Sequence, residues 1–230
     1  MEKKTKITTE AERRSIALHE AGHASISWLL EYANPLIKVT IVPRGRALGA
    51  AWYLPEERQI TTKEQMLDEM CATLGGRAAE DLFLNRISTG AMNDLERVTK
   101  QAYGMIAYLG MSDKLPNLCY YNNEEYSFNR PYSEKTAELI DTEVKNMVNE
   151  QYERAKKILS EHREGHNQLA QLLIDKEVIF AEDVERIFGK RPWASRSEEI
   201  MAAKESQEAA EAEKRLAEEV KENCLLYTSD

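Results

Sequence analysis

The chain has 230 residues, a formal net charge of −9 at pH 7 and 42% hydrophobic residues, which is enough material for one domain with a sizeable core. Because the net charge is negative, the protein is repelled by the phosphate backbone of nucleic acids and by anionic membrane surfaces, so we expect no nucleic-acid partner. The 3 cysteines form no C-x-x-C pair, which predicts reduced thiols in a cytosol-like compartment. We expect neither a signal peptide nor a membrane helix, since a membrane helix needs roughly 20 apolar residues.

The first predicted element is a helix that runs from Thr9 to Leu30. Thr9 and Glu12 form a capping-box pattern, and apolar residues follow at helical spacing until Asn34 and Pro35 end the pattern. Two short runs rich in β-branched and aromatic residues come next, LIKVTIV and GAAWYLP, separated by the turn-forming PRGRAL. They predict a β-hairpin or a small sheet.

The rest of the chain predicts helices. One begins after the capping residue Thr62 and contains Gly75-Gly76, which either interrupts the helix or lets another backbone come close. Another follows the Ser-Thr-Gly turn at 88–90, and the polar, tyrosine-rich segment 117–132 predicts a surface loop. A long helix and two shorter ones, NQLAQLLIDK and AEDVERIF, complete the pattern. The long helix carries a mostly apolar stripe that we expect in the core: Ile140, Val144, Met147, Val148, Gln151, Ala155, Ile158 and Leu159.

The predicted fold class is therefore mainly α, a helical bundle with a small β-hairpin or sheet. We interpret residues 1–8 as a linker and residues 9–190 as the domain. Residues 191–230 predict a charged tail, either an exposed helix or a disordered segment, because Ala, Glu and Lys dominate it and few apolar residues are left to pack.

The segment HEAGH places two histidines, His19 and His23, four residues apart on the first predicted helix. On a helix this spacing puts both side chains on one face, so both can reach one metal ion. Glu20 lies beside them, where it can polarise a water, which makes the pattern a zinc-hydrolase signature. The alternative is two half-buried, hydrogen-bonded histidines on a core helix. Gly22 favours the functional reading, because glycine inside a helix costs about 1 kcal/mol and indicates a close approach.

A second pair with the same spacing, His162 and His166 in HREGH, lacks the glutamate and lies in a charged stretch, so we expect both histidines on the surface. A carboxylate is then the better third metal ligand. Cys71 is a poor match to a cysteine-type metal site. Spacing alone leaves four carboxylates open: Glu80, Asp81, Asp94 and Glu96.

Four stretches in order, HEAGHA, VTIVPRGRALGAAWYLPEE, LGGRAAE and STGAMNDLERVT, resemble the peptidase domain of the FtsH family of membrane-anchored ATP-dependent zinc metalloproteases. The resemblance covers residues 5 to 190 and implies a zincin-like metalloprotease domain with one Zn²⁺ per chain. It implies that His19, His23 and Asp94 bind the zinc and that Glu20 is the general base. Glu80 remains a second choice, as a partner that orients a histidine.

The resemblance also implies the substrate and the reaction, hydrolysis of peptide bonds in unfolded or membrane-extracted proteins by a zinc-activated water. An extended substrate could pair with the edge of the predicted strand, through Leu48, Gly49, Ala50, Ala51 and Trp52. The alternative is an ordinary packed hairpin.

Family members carry membrane helices and an AAA+ ATPase module before this region, whereas the chain has no G-x-x-x-x-G-K-[ST] phosphate loop. We therefore expect a peptidase piece of a longer protein, with ATP bound only by that parent. The parent would be a homo-hexamer at the cytoplasmic side of a bacterial inner membrane, and the membrane would be reached only through the missing part. Two other hypotheses are an assembly module that holds the hexamer but is catalytically silent, and a zinc-stabilised binding domain with four protein ligands.

Overall fold

A computed structural model describes residues 9–43, 49–54, 59–120, 131–194, 198 and 200–208. Within these residues the helices and strands follow in the order α1 (Glu10–Leu29), β1 (Leu36–Thr40), β2 (Ala50–Tyr53), α2 (Lys63–Thr73), α3 (Gly75–Ala79), α4 (Met92–Tyr103), α5 (Glu134–Glu161), α6 (Arg163–Lys176), β3 (Val178–Phe180) and α7 (Ala181–Phe188). π-helical turns continue α3 and α4, at Glu80–Leu84 and Gly104–Tyr108. The predicted class, mainly α with a small sheet, is confirmed.

Helix α1 is the centre of the domain. It begins with the predicted capping box, in which the Thr9 amide donates to Glu12 at 2.7 Å and the Glu12 amide donates to the Thr9 hydroxyl at 3.2 Å. Every residue from Ala17 to Trp28 is buried, because the helix packs against the sheet and α6 on one side and against α3 and α5 on the other. The histidines and the glutamate of HEAGH therefore lie inside the fold.

The two predicted strands pair in antiparallel orientation, and β3 adds a third antiparallel strand, giving the order β2-β1-β3. Residues 44–48 of the predicted turn lie outside the described residues. Strand β3 was not predicted, because three residues are too few for an alternating pattern to show. Within the described residues β2 pairs with β1 alone, so it is an edge strand.

Gly22 and Gly75 let α1 and α3 touch through their backbones. A β-carbon added to Gly22 would lie 2.4 Å from the Gly75 carbonyl oxygen, and one added to Gly75 would lie 2.7 Å from the Gly22 carbonyl oxygen. Both expectations from the sequence are confirmed: a backbone approaches Gly22, and the helix breaks at Leu74 where the Gly-Gly pair begins. This contact holds α3, which leads into the turn that carries Glu80, against the helix that carries HEAGH.

The predicted stripe of α5 lies in the core. Ile140, Gln151, Ala155 and Leu159 are buried, and the other members of the stripe are partly buried against the same clusters. The central residues 121–130 of the predicted loop lie outside the described residues, as do residues 1–8.

The chain divides into two units, one ending at Arg191 and one beginning at Pro192. In the second unit residues 200–208 are helical and exposed, while residues 195–197, 199 and 209–230 lie outside the described part. None of the described helices is both long and apolar enough to cross a membrane. The domain boundaries drawn from the sequence stay a prediction.

The predicted surface position of HREGH is right for His162 and wrong for His166. His162 is exposed between α5 and α6, whereas His166 is fully buried. Helix α6 begins at Arg163 rather than after the glycine, and a β-carbon added to Gly165 would lie 2.6 Å from the Phe188 ring. A charged local sequence gave no indication of this long-range packing.

Burial of His166 predicts a pH-dependent stability. Desolvation lowers the pKa of this imidazole to about 4, although the hydrogen bond with Leu18 opposes the shift and Arg163 adds to it. The unfolded chain, with a histidine pKa of about 6.5, therefore takes up the proton first. The stabilising contribution is complete above pH 6.5 and is lost as the pH falls toward 4, up to about 3 kcal/mol. In urea unfolding of the metal-free chain, the wild type should lose more stability than His166→Phe between pH 7.5 and 4.5; equal losses would contradict this.

Candidate metal centre

Three ligand atoms converge at the middle of α1. The Nε2 atoms of His19 and His23 are 3.1 Å apart, and the Asp94 Oδ2 atom lies 3.4 Å from the first and 3.5 Å from the second. Ligands bound about 2.0–2.1 Å from a tetrahedral zinc ion are separated by about 3.3–3.4 Å. The three side chains form a group with metal-ligand spacing among the described residues, so the donor set fits a zinc ion.

The other ring nitrogens fix the orientation of the two imidazoles. His19 Nδ1 lies 2.9 Å from a carboxylate oxygen of Glu80, and His23 Nδ1 lies 3.0 Å from the Ala72 carbonyl oxygen. A carbonyl oxygen and an ionised carboxylate only accept hydrogen bonds, so both Nδ1 atoms donate. In the neutral rings both Nε2 lone pairs then point at each other and at Asp94, an arrangement that a cation between them would stabilise.

The electrostatics of the site also favour positive charge. Burial alone would lower the pKa of His19, but the carboxylates of Asp94, Glu80 and Glu20 outweigh it and raise that pKa to about 9. Burial would raise the pKa of Asp94, yet hydrogen bonds to the two imidazoles hold it well below its usual range. A site that holds a proton this firmly also attracts a metal cation, which binds in exchange for the proton.

Glu80 connects the histidine helix to the segment that carries Asp94. Its carboxylate contacts His19 and also accepts hydrogen bonds from the Ser88 amide and hydroxyl, each at 2.8 Å. Ser88 in turn caps the 3₁₀ turn Thr89–Ala91, which leads directly into α4. Asp94 lies in the first turn of that helix and thus faces α1.

The remaining candidates from the sequence lie elsewhere. Asp81 pairs with Lys156 and Glu96 with Lys100, outside the cluster. Cys71 is buried in an apolar cluster, where desolvation raises the pKa of its thiol to about 12. Only the group of His19, His23 and Asp94 has metal-ligand spacing in the part of the chain that the structure describes.

Glu20 is the buried carboxylate beside this group. Its burial raises its pKa, and the positive potential of the two histidines only partly offsets the shift. Gly49, the residue directly before β2, lies against it, since a β-carbon added there would be 2.6 Å from a Glu20 carboxylate oxygen. This contact brings the edge strand next to the predicted base.

A cavity of about 860 Å³ opens over the cluster, and Gly49, Ala50 and Ala51 of the predicted substrate strand line it. Trp52 is 43% exposed, and Leu48 lies outside the described residues. Tyr53 and Arg97 also line the cavity. The sequence placed Tyr53 in a predicted strand and Arg97 in a predicted helix, but no pattern assigned either residue to the site. Gly76 was expected either to interrupt a helix or to let another backbone come close, whereas the group that lies against it is the His19 ring.

The chain is similar to a known peptidase family and to known zinc metalloproteases. The family model described as "Peptidase family M41" matches residues 6–187. The "ATP-dependent zinc metalloprotease FtsH" of Parabacteroides distasonis is 71% identical over 207 residues, which are 89% of this chain and 30% of that protein. The protein of the same name from Rhodothermus marinus is 50% identical over 84% of this chain and 28% of its own length. The "ATP-dependent zinc metalloprotease FTSH 10, mitochondrial" of Arabidopsis thaliana is 48% identical over 85% and 24%.

This chain spans about a quarter to 30% of the length of these relatives. The resemblance to the FtsH family that the sequence motifs indicated is confirmed, and so is the predicted enzyme class, metallopeptidase. The roles of individual site residues stay predictions.

Proposed function

Because this chain belongs to peptidase family M41, we propose that it is the zinc-dependent endopeptidase domain of an FtsH-type ATP-dependent protease. The observation that carries the proposal is the convergence of His19, His23 and Asp94 at metal-ligand spacing, with the buried carboxylate of Glu20 directly after His19 in the sequence. His19, His23 and Asp94 would hold one zinc ion per chain, and Glu80 would orient His19.

The chemistry divides between the metal and the protein. When bound, zinc supplies Lewis-acid polarisation and lowers the pKa of water. The Glu20 carboxylate accepts the proton from the water that attacks the peptide carbonyl, and it returns that proton to the leaving amine. Its raised pKa, caused by burial, suits a group that must both take and give a proton near neutral pH.

The substrate we propose is an unfolded polypeptide bound as an extended strand along β2. Three observations support this: β2 is an edge strand within the described residues, its residues line the cavity over the cluster, and Gly49 contacts Glu20. Main-chain pairing binds many sequences with little selectivity, which suits a protease of unfolded chains. A hairpin that merely packs would bind no peptide.

The context of the domain follows from its relatives. Their names describe ATP-dependent proteases, and this chain contains no G-x-x-x-x-G-K-[ST] phosphate loop. We propose that ATP is bound in another part of a parent protein, which delivers substrate to this domain. In the parent we expect a membrane anchor, a location at the cytoplasmic face of a bacterial inner membrane, and a homo-hexameric ring.

Metal binding tests the proposal directly. We expect the wild-type chain to bind one zinc ion, and Asp94→Asn to weaken binding by more than about 100-fold, because a ligand is lost rather than a supporting contact. Asp113→Asn is the matched control, since the Asp113 side chain is 99% exposed. The measurement is zinc affinity by competition with a chelator, with peptide cleavage before and after chelation.

Each alternative has its own outcome when light scattering, for the oligomeric state, and anomalous diffraction at the zinc edge, for the metal's ligands, are added to that experiment. If the wild type bound no zinc, or Asp94→Asn bound it as tightly as the control, the assigned site would be wrong. A zinc-loaded ring without turnover would favour the silent assembly module, and a fourth protein ligand on the metal would favour a binding domain.

A further inference from the structure

His166 is a buried polar residue that the proposed reaction does not use. It lies on α6, 148 positions from Leu18 in sequence, yet its Nε2 atom is 3.1 Å from the Leu18 carbonyl oxygen on α1. Because a carbonyl oxygen only accepts, Nε2–H is the donor. The Leu18 carbonyl lies within a continuous helix and also accepts the helical bond from residue 22. The helix therefore does not need His166 to satisfy this carbonyl.

The imidazole also contacts the turn that carries Glu80. Its ring stacks on Phe83 with the ring centres 4.1 Å apart and the planes 12° from parallel. Phe83 belongs to the π-helical turn Glu80–Leu84, whose first residue lies 2.9 Å from His19 Nδ1. One side chain thus touches both elements that set the orientation of the His19 ring.

Burying a histidine completely is unfavourable, because removing the polar imidazole from water costs free energy unless its N–H group donates a hydrogen bond. A leucine or phenylalanine would fill the same volume at lower cost. The donor bond to Leu18 is directional, whereas apolar packing is not, so it fixes where α1 lies relative to the stacked Phe83 ring.

We propose that His166 is a positioning residue of the metal centre: it holds α1 and the Glu80–Leu84 turn at the separation at which Glu80 meets His19. The inference rests on the proposed zinc site and adds a residue that contacts neither metal nor substrate. Supporting contacts behind metal-ligating histidines typically change metal affinity about 10- to 100-fold when they are removed.

Two substitutions separate the contacts that His166 makes. His166→Phe keeps an aromatic ring against Phe83 and removes the donor to Leu18. His166→Gln keeps an N–H donor at about the position of Nε2 and removes the ring. The chain provides a matched control in His162, an exposed histidine four residues earlier, as His162→Phe and His162→Gln.

The test is zinc affinity by chelator competition on the full chain, with circular dichroism to show that each variant is folded and thermal melting of the metal-free proteins. We expect His166→Phe to bind zinc about 10- to 100-fold more weakly than His162→Phe, and His166→Gln to recover most of that loss. With cobalt in place of zinc, the visible spectrum of His166→Phe should change as the ligand geometry changes.

A merely structural role would lower the melting temperature and leave the affinity unchanged. The proposal is therefore overturned if folded His166→Phe binds zinc as tightly as the His162→Phe control. It is also overturned if His166→Gln binds zinc as weakly as His166→Phe, because the hydrogen bond to Leu18 would then be irrelevant. Where His166→Phe folds poorly, His166→Gln is compared with His162→Gln instead, and a much weaker zinc affinity of His166→Gln overturns the proposal. If the wild type itself bound no zinc, the proposed function would fail instead.

Discussion

Replacing Glu20 with glutamine is expected to leave zinc binding intact and to slow peptide cleavage about 100- to 10,000-fold, the usual contribution of a general base. Glutamine has nearly the same shape, so it can occupy the buried position beside Gly49 without displacing either histidine. It cannot accept the proton of the attacking water, because its amide is not basic. The measurements are zinc affinity and kcat/KM for an unfolded, fluorescently labelled polypeptide.

Two features of the site sharpen this test. Glu10→Gln is a suitable control, since Glu10 lies exposed in the first turn of the same helix. The loss should appear in kcat rather than KM, because Glu20 acts in the transition state and not in holding the substrate strand. Cleavage by Glu20→Gln at the wild-type rate would show that another group is the base.

The features that could be predicted from sequence are local ones. The capping box of Thr9 and Glu12, the helical spacing of His19 and His23, and the β-branched and aromatic runs of β1 and β2 all depend on residues a few positions apart. Gly22 could be interpreted too, because a glycine in a helix has a known energetic cost. These patterns were sufficient for the fold class and for the first two metal-ligand candidates.

The features that could not be predicted depend on contacts between residues that are far apart in the sequence. Spacing along the chain left Asp94 equal to three other carboxylates, because its position depends on contacts between distant residues. Ser88 bonds to Glu80 just before its helix, and Val98 of that helix packs in one cluster with Met70. His166 has a charged neighbourhood in sequence and an apolar one in space, beside Phe83. Strand β3 exists because β1 offers it an edge, which three residues of sequence do not reveal.

Gly76 provides the second large effect that we expect. Helix propensity alone predicts that Gly76→Ala stabilises the chain by up to about 1 kcal/mol. The structure predicts the opposite sign at this position, because the added β-carbon would lie 2.4 Å from His19 Nε2 and 2.6 Å from its Cδ2. The ring is buried and held by Glu80, so it cannot move away without losing that contact.

A displaced His19 ring changes the metal centre more than the fold. The ring can avoid the new methyl group only by moving its Nε2 atom, which changes that atom's distances of 3.1 Å to His23 and 3.4 Å to Asp94. We therefore expect Gly76→Ala to weaken zinc binding at least about 10- to 100-fold, as a disturbed histidine ligand does, and to lower cleavage with it. Gly104→Ala is the matched control, because an added β-carbon there meets no atom within 4 Å. If both variants bound zinc with wild-type affinity, His19 would not be a ligand held in the orientation described, since no rigid ligand could tolerate an atom at that distance.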